Sequence, residues 1–205
     1  APVSWIEVQP QAHDVAISTY GRGLFLLRDI TRLEQQDQVV DTAPGFVYQP
    51  RVAYRLARGG SAEFLYALKA ASTDRIKFEV VDANGVVIRK LEGSGRAGLN
   101  RVAWDLRYDG PAQVELRTIP PDNPHIWEEA RYKGRDTRPI VHWGIQGPQR
   151  QGPIAAPGRY LVRMTVGDQV YPRSLDVIKD PKLPAPPSDL VASTTAQIRI
   201  RDDIN

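Results

Sequence analysis

The chain has 205 residues, 41% of them hydrophobic and 25% charged, with a net charge of +3 and no cysteine. That balance belongs to a folded chain long enough to bury a core of its own, and it excludes disulfides and thiolate metal sites. The arginines are scattered rather than run together, which argues against nucleic acid as a partner, and no apolar run approaches the ~20 residues that a membrane-spanning helix needs.

The first residues, Ala1-Pro2, carry no initiator Met and no charged-then-apolar leader, so the chain reads as excised from something longer. Ser4 to Val8 reads as a short strand, and Asp14 to Thr19 as a second, with Val15 and Ile17 alternating. Tyr20-Gly21-Arg22-Gly23 turns the chain into the apolar run Leu24 to Leu27. A meander of three strands is too small to be stable alone. Its apolar run needs a partner, either the rest of the chain or a neighbour outside it. Thr31-Arg32-Leu33-Glu34 has the spacing of a capping box and predicts one or two helical turns ending near Asp37.

Tyr48 to Leu56 reads as a strand interrupted at Pro50. Ala62 to Ala70 alternates Phe64, Tyr66 and Leu68 against smaller residues, and Arg75 to Val81 alternates Ile76, Phe78 and Val80 against Lys77 and Glu79. Asp82-Ala83-Asn84-Gly85 is a hairpin turn, since Asn and Gly both tolerate positive φ. Val86 to Leu91 returns, and Gly93-Ser94-Gly95 links it to a strand in which Val102, Trp104 and Leu106 share a face. Trp104 is the largest apolar group there. With Ile76, Phe78, Tyr160 and Val162 it forms the expected core.

Periodicity lapses from Tyr108 to Gly152, a Pro-rich insertion of a length that is either functional or partly disordered. Pattern resumes at Arg159 to Val166, turns at Gly167-Asp168, and returns over Gln169 to Ile178, with Pro172 expected at an edge or bulge. Lys182 to Pro187 is a linker. Ser188 is the expected cap of a helix over Asp189 to Ile204, whose pattern runs to Asn205 without a C-cap. About seven strands from Val47 to Ile178 predict an all-β fold, an antiparallel β-sandwich of immunoglobulin/fibronectin-III-like type with a long loop insertion, an N-terminal β-meander and a C-terminal helix.

Two segments resemble a known family. Ser18-Thr19-Tyr20-Gly21-Arg22-Gly23-Leu24-Phe25-Leu26-Leu27-Arg28-Asp29-Ile30 is similar to the closing motif of bacterial sortilin-like, BNR-repeat β-propeller proteins, with Tyr20 in place of a His and Arg28 in place of an Asp. Val81-Asp82-Ala83-Asn84-Gly85, Gly98 to Leu106 and Pro157-Gly158-Arg159-Tyr160 resemble the immunoglobulin-like module that follows the propeller, and more distantly that of the flagellar hook-capping protein. The resemblance implies three parts: residues 1–40, a blade remnant and short helix; residues 41–181, the sandwich with its insertion at 108–152; residues 182–205, a linker and the start of a helical segment. It also implies an exported parent, periplasmic or secreted, with the remaining blades of that parent chain as partners. Family members are often labelled glycosyl hydrolases from their repeats.

Candidate chemistry falls mainly on the insertion. Trp127, Tyr132 and Trp143 form either an aromatic platform for a glycan or peptide ligand or the anchors of a long loop. Glu128 and Glu129, with Asp122 and Asp136, are its carboxylates, but adjacent Glu residues point apart, whereas glycoside hydrolysis needs a facing pair. His125 and His142 with Asp122 match no compact metal-ligand spacing. Asn100 and Asp105 flank Trp104 as turn-fixing residues, and Tyr20-Gly21-Arg22-Gly23 is a tight turn, with no phosphate-loop Lys after it. Neither catalytic residue nor cofactor nor metal is called for. The expectation is a non-catalytic module bracing a propeller; the alternatives are a carbohydrate- or peptide-binding module and part of a glycoside hydrolase.

Overall fold

The computed structural model describes every residue except 11, 40–42, 113–114, 118–121, 123–129, 131–132 and 140–150. Strands β1 (Val3–Gln9), β2 (Asp14–Thr19) and β3 (Gly23–Leu27) form an antiparallel N-terminal sheet in the order β1-β2-β3. A one-turn helix α1 (Thr31–Glu34) and a 3-10 turn (Gln36–Gln38) lead to β4 (Gly45–Val47), β5 (Ala53–Arg55), β6 (Ala62–Leu68), β7 (Ile76–Val81), β8 (Val87–Gly93) and β9 (Gly98–Trp104). After β10 (Glu115–Arg117) and β11 (Thr137–Pro139) come β12 (Gly158–Val166), β13 (Gln169–Lys179) and the helix α2 (Pro187–Ile204). The fold is mostly β, with one long helix at its C-terminal end.

Two sheets make the body, in the orders β5-β13-β12-β7-β8 and β4-β6-β9. Each arises from residues of period two. In β6 the even-numbered residues from Ala62 to Leu68 are buried, and in β7 Ile76, Phe78 and Val80 are buried while Lys77 and Glu79 face out or lie at the rim. The buried faces meet in a single core. Trp104 on β9 meets Tyr160 on β12 edge to face, with centroids 5.5 Å apart, and Phe64 and Tyr66 on β6 meet Phe78 on β7 at 6.3 and 5.0 Å. Each ring pair joins one sheet to the other, adding about 0.5–1.5 kcal/mol beyond its burial. Trp104, Ile76, Phe78, Tyr160 and Val162 are all buried, Trp104 completely. The Trp104 indole N–H still finds a partner, the carbonyl of Arg107 at 2.7 Å.

Turn chemistry sets the registers. Val166 pairs with Gln169 across a two-residue turn in which Gly167 has φ +57°. At the β7–β8 turn only Gly85 takes positive φ (+81°), not Asn84 as well, because the Asp82 carboxylate accepts the N–H groups of Asn84 and Val86 and organises a longer turn. Pro172 pairs with Arg163 of β12, while β5 reaches β13 only at Val177–Lys179, so Pro172 lies where β13 is locally an edge.

Other expectations change. Thr31 is not the cap of α1: it is the first helical residue, Ile30 precedes it, and the buried Thr31 hydroxyl has no partner among the described residues. Glu34 turns instead to His13. Helix α2 starts at Pro187, not after Ser188, and has no side-chain cap: the residue at the cap position is Pro186, which has no side-chain acceptor, and Pro187 behind it has no N–H to satisfy. Of the strand expected across Tyr48 to Leu56 only Ala53–Arg55 forms, as β5; Tyr48 to Val52 is irregular and carries the chain from the sheet of β4 to that of β5. The insertion, read as loop, contains the antiparallel ribbon β10–β11. Among the described residues no helix is long and apolar enough to cross a membrane.

Burial raises the pKa of the phenols of Tyr66, Tyr108 and Tyr160, most strongly that of Tyr160. A group that holds its proton more tightly when folded contributes stability that is complete below its unfolded pKa and is lost as pH rises through the folded one. The urea midpoint is therefore expected to fall above pH ~10, the ordinary tyrosine value, and to fall less steeply in Tyr160→Phe. Identical alkaline slopes for the two proteins would show that Tyr160 is not held neutral by the core.

Candidate functional site

The N-terminal sheet stands outside the core. Its pairings place Val8 opposite Val15, Ile6 opposite Ile17, Val15 opposite Leu27 and Ile17 opposite Phe25. Directly paired residues point to the same side of a sheet. One face is therefore Ile6, Val8, Val15, Ile17, Phe25 and Leu27, all apolar. Val15 and Ile17 on the central strand are half-buried by their neighbours, and the flanking four are exposed. The opposite face carries Trp5, Glu7, Ala16, Ser18, Leu24 and Leu26, with Trp5 68% and Leu24 81% exposed. The Trp5 indole N–H donates to Glu7, so this face mixes apolar and polar groups. Neither face is covered by the rest of the described chain. Contiguous apolar patches of this kind mark interaction sites.

Among the described residues the sheet is tied to the body at the end that carries Ala12, His13 and Asp29. Arg51, just before β5, donates to the carbonyl of Ala12 at 2.8 Å and lies 3.6 Å from the Asp29 carboxylate. The Asp29 N–H in turn donates to Asp14, and the Ile30 N–H to the His13 carbonyl. His13 Nδ1 lies 2.6 Å from Glu34, and the Gln35 side chain brackets the backbone of Gln49. His13 and Asp29 take left-handed backbone conformations, φ +52° and +59°. Such residues persist only where their surroundings over-determine them, and the bonds just named do so. Sequence reading missed this joint. Its only signal was a cluster of turn-forming polar residues at both ends of an apolar meander.

The root of the insertion is the second organised region. Asp105 accepts the Arg107 N–H at 3.3 Å and pairs with Arg89 at 3.5 Å, a turn-fixing role, and Asn100 donates to the carbonyls of Arg96 and Gly98. Leu106 is fully buried at φ +52°, against Gly60, where a Cβ would come within 2.6 Å of its side chain. Across the gap, Ala155 donates to Leu106 and Tyr108 to Pro153, while Arg107 donates to the carbonyls of Gly152 and Arg58. The two ends of the insertion are thus closed on each other. Helix α2 seals them: Gln197 accepts the Ile154 N–H, Thr194 donates to the Ile154 carbonyl, and Arg201 lies over the Tyr108 ring at 5.9 Å.

Trp127, Tyr132 and Trp143 lie outside the described residues, as do Glu128, Glu129, His125 and His142. Asp122 and Asp136 are described, and among the described residues no three His, Asp or Glu side chains gather into a metal-binding group.

Arg51 joins both strands of the joint, so Arg51→Ala is expected to loosen the sheet without loosening the body. A charge-assisted hydrogen bond of this kind is worth about 1.5–3 kcal/mol. Tryptic cleavage after Arg28 and Arg32 should then quicken roughly tenfold or more at an unchanged urea midpoint. Unchanged cleavage would mean that the joint does not depend on Arg51. In comparisons with protein-family models, curated proteins and solved structures, the chain matches none.

Proposed function

We propose that this chain is a non-catalytic immunoglobulin-like structural and interaction module that braces a β-propeller of the sortilin-like, BNR-repeat type in an exported parent. The N-terminal sheet joins that propeller, and the two-sheet body is the brace. The single observation that carries this proposal is the uncovered apolar face of Ile6, Val8, Val15, Ile17, Phe25 and Leu27. Covering the exposed half of such side chains is worth on the order of 5 kcal/mol before the cost of association. A flat face of β-branched and aromatic residues suits another sheet as its cover, since stacked sheets pack with interdigitating side chains. Two packed body sheets around Trp104, with their antiparallel hairpins, support the immunoglobulin-like assignment. The module's work is positional: the joint at Arg51 and Asp29 fixes how the body sits against whatever covers the sheet.

Titration calorimetry with the parent chain's propeller blades, produced separately, tests this. Binding with a Kd below about 10 μM and a negative heat-capacity change is expected, lost in Ile17→Asp and Phe25→Asp. No binding, or binding that survives both substitutions, would contradict it.

A further inference from the structure

At the end of the body away from the insertion root, the β6–β7 connection and the β8–β9 connection form an open depression of about 770 Å³. Among the described residues three arginines line it, Arg75, Arg96 and Arg101, against one carboxylate, Asp74. They are scattered between positions 75 and 101 and are brought together by the fold. Arg101 is placed by the β6–β9 register, opposite Leu65. Arg75 immediately precedes β7. Arg96 sits on the turn that Asn100 holds by donating to the Arg96 and Gly98 carbonyls at 2.7 and 3.0 Å.

The floor is fixed to the core. The hydroxyl of fully buried Tyr66 donates to the Ser94 carbonyl at 2.7 Å. The Ser72 N–H donates to the Gly95 carbonyl, also at 2.7 Å, and joins the two connections. They approach so closely that a Cβ on Gly95 would lie 2.5 Å from the Ser72 carbonyl oxygen and 2.7 Å from that of Asp74. The positive groups are thus presented on a rigid base rather than on free loops.

Their existing partners are weak. Arg75 is 3.9 Å from Glu92 and Arg101 is 3.5 Å from Glu63, both pairs exposed, and the Arg96 side chain has no partner among the described residues. Exposed pairs of this kind contribute about 0–1 kcal/mol and exchange readily for a better anion. Ser72 Oγ accepts the Asp74 N–H and Ser94 Oγ accepts the Arg96 N–H, which leaves both hydroxyl protons free to donate to a ligand. Among the described residues no aromatic ring lines the depression, so none of them would stack on a nucleobase there.

We infer that this depression binds an acidic oligosaccharide, its carboxylate or sulfate groups held by Arg75, Arg96 and Arg101 and its hydroxyls by Ser72, Ser94 and their neighbours. Guanidinium forks match the planar geometry of carboxylate and the oxygens of sulfate, and the volume falls within the range of small-molecule sites. The site is separate from the N-terminal sheet and independent of what covers that sheet.

Calorimetry on the whole chain tests it with three sugar probes, a heparin-derived tetrasaccharide, a tetramer of galacturonate and neutral cellotetraose, and with tripolyphosphate as a non-sugar anion. One or both acidic probes should bind, with affinity falling as salt is raised, and cellotetraose should not. Heparin fragment alone would assign sulfate as the recognised group, galacturonate alone carboxylate. Arg96→Ala, on an exposed side chain, should weaken binding about tenfold or more. Gly95→Ala should weaken it at unchanged charge, and Arg159→Ala, an exposed arginine paired with Asp176 elsewhere, should leave it intact. Three results would overturn the inference: no acidic probe bound at about 1 mM, equal losses in Arg96→Ala and Arg159→Ala, or tripolyphosphate bound as tightly as either sugar.

Discussion

A sheet with an apolar face must be covered, and this chain meets that requirement in one place and leaves it open in another. In the body, β6 and β9 turn Phe64, Tyr66 and Trp104 toward β7 and β12, which answer with Phe78 and Tyr160. The faces close on each other and exclude water from Trp104. In the N-terminal sheet the same alternation collects six apolar side chains on one side, and among the described residues no second sheet comes over them. The proposed function follows from that contrast, since burial of apolar area is the dominant favourable term in both folding and association.

Around the closed core, polar bonds set position more than they add stability. Arg51, Asp29 and Asp14 fix the angle at which the open sheet leaves the body. Arg107, with the backbone of Leu106, Tyr108, Gly152 and Ala155, shuts the root of the insertion, and Thr194 and Gln197 of α2 satisfy both backbone groups of Ile154 there. Tyr66 does the same at the far end through Ser94. The insertion root and the far end are thus referred back to buried residues, Leu106 and Tyr66. This is the arrangement expected of a module whose contribution is to hold surfaces in place.

Local patterning made much of the body legible. The even-numbered apolar residues of β6 and β7, the face of Tyr160, Val162 and Met164 on β12, and the Gly167 turn are all short-range signals that depend on a two-residue period or a single left-handed glycine. Features set by distant pairing were not legible. The parallel match of β5 with β13 joins Ala53 to Val177, and β5 buries Ala53 and Arg55 while exposing Tyr54, so its hydropathy does not follow its burial. The starts of α1 and α2 were misplaced because neither uses a side-chain cap. Of the candidate surfaces, the need of Leu24 to Leu27 for a partner was readable as an uncompensated apolar run. The Arg75, Arg96 and Arg101 cluster was not, since its residues share no spacing and meet only through strand register.

Hydrogen exchange of the chain alone bears most directly on the claim that one sheet system is closed and the other open. Amides of β6, β9 and β12 are predicted to exchange only through global unfolding, and those of β1, β2 and β3 through a local opening at least tenfold more populated. Equal protection of the two sets would mean that the N-terminal sheet is already covered, and the proposal that it serves as a docking surface would fail.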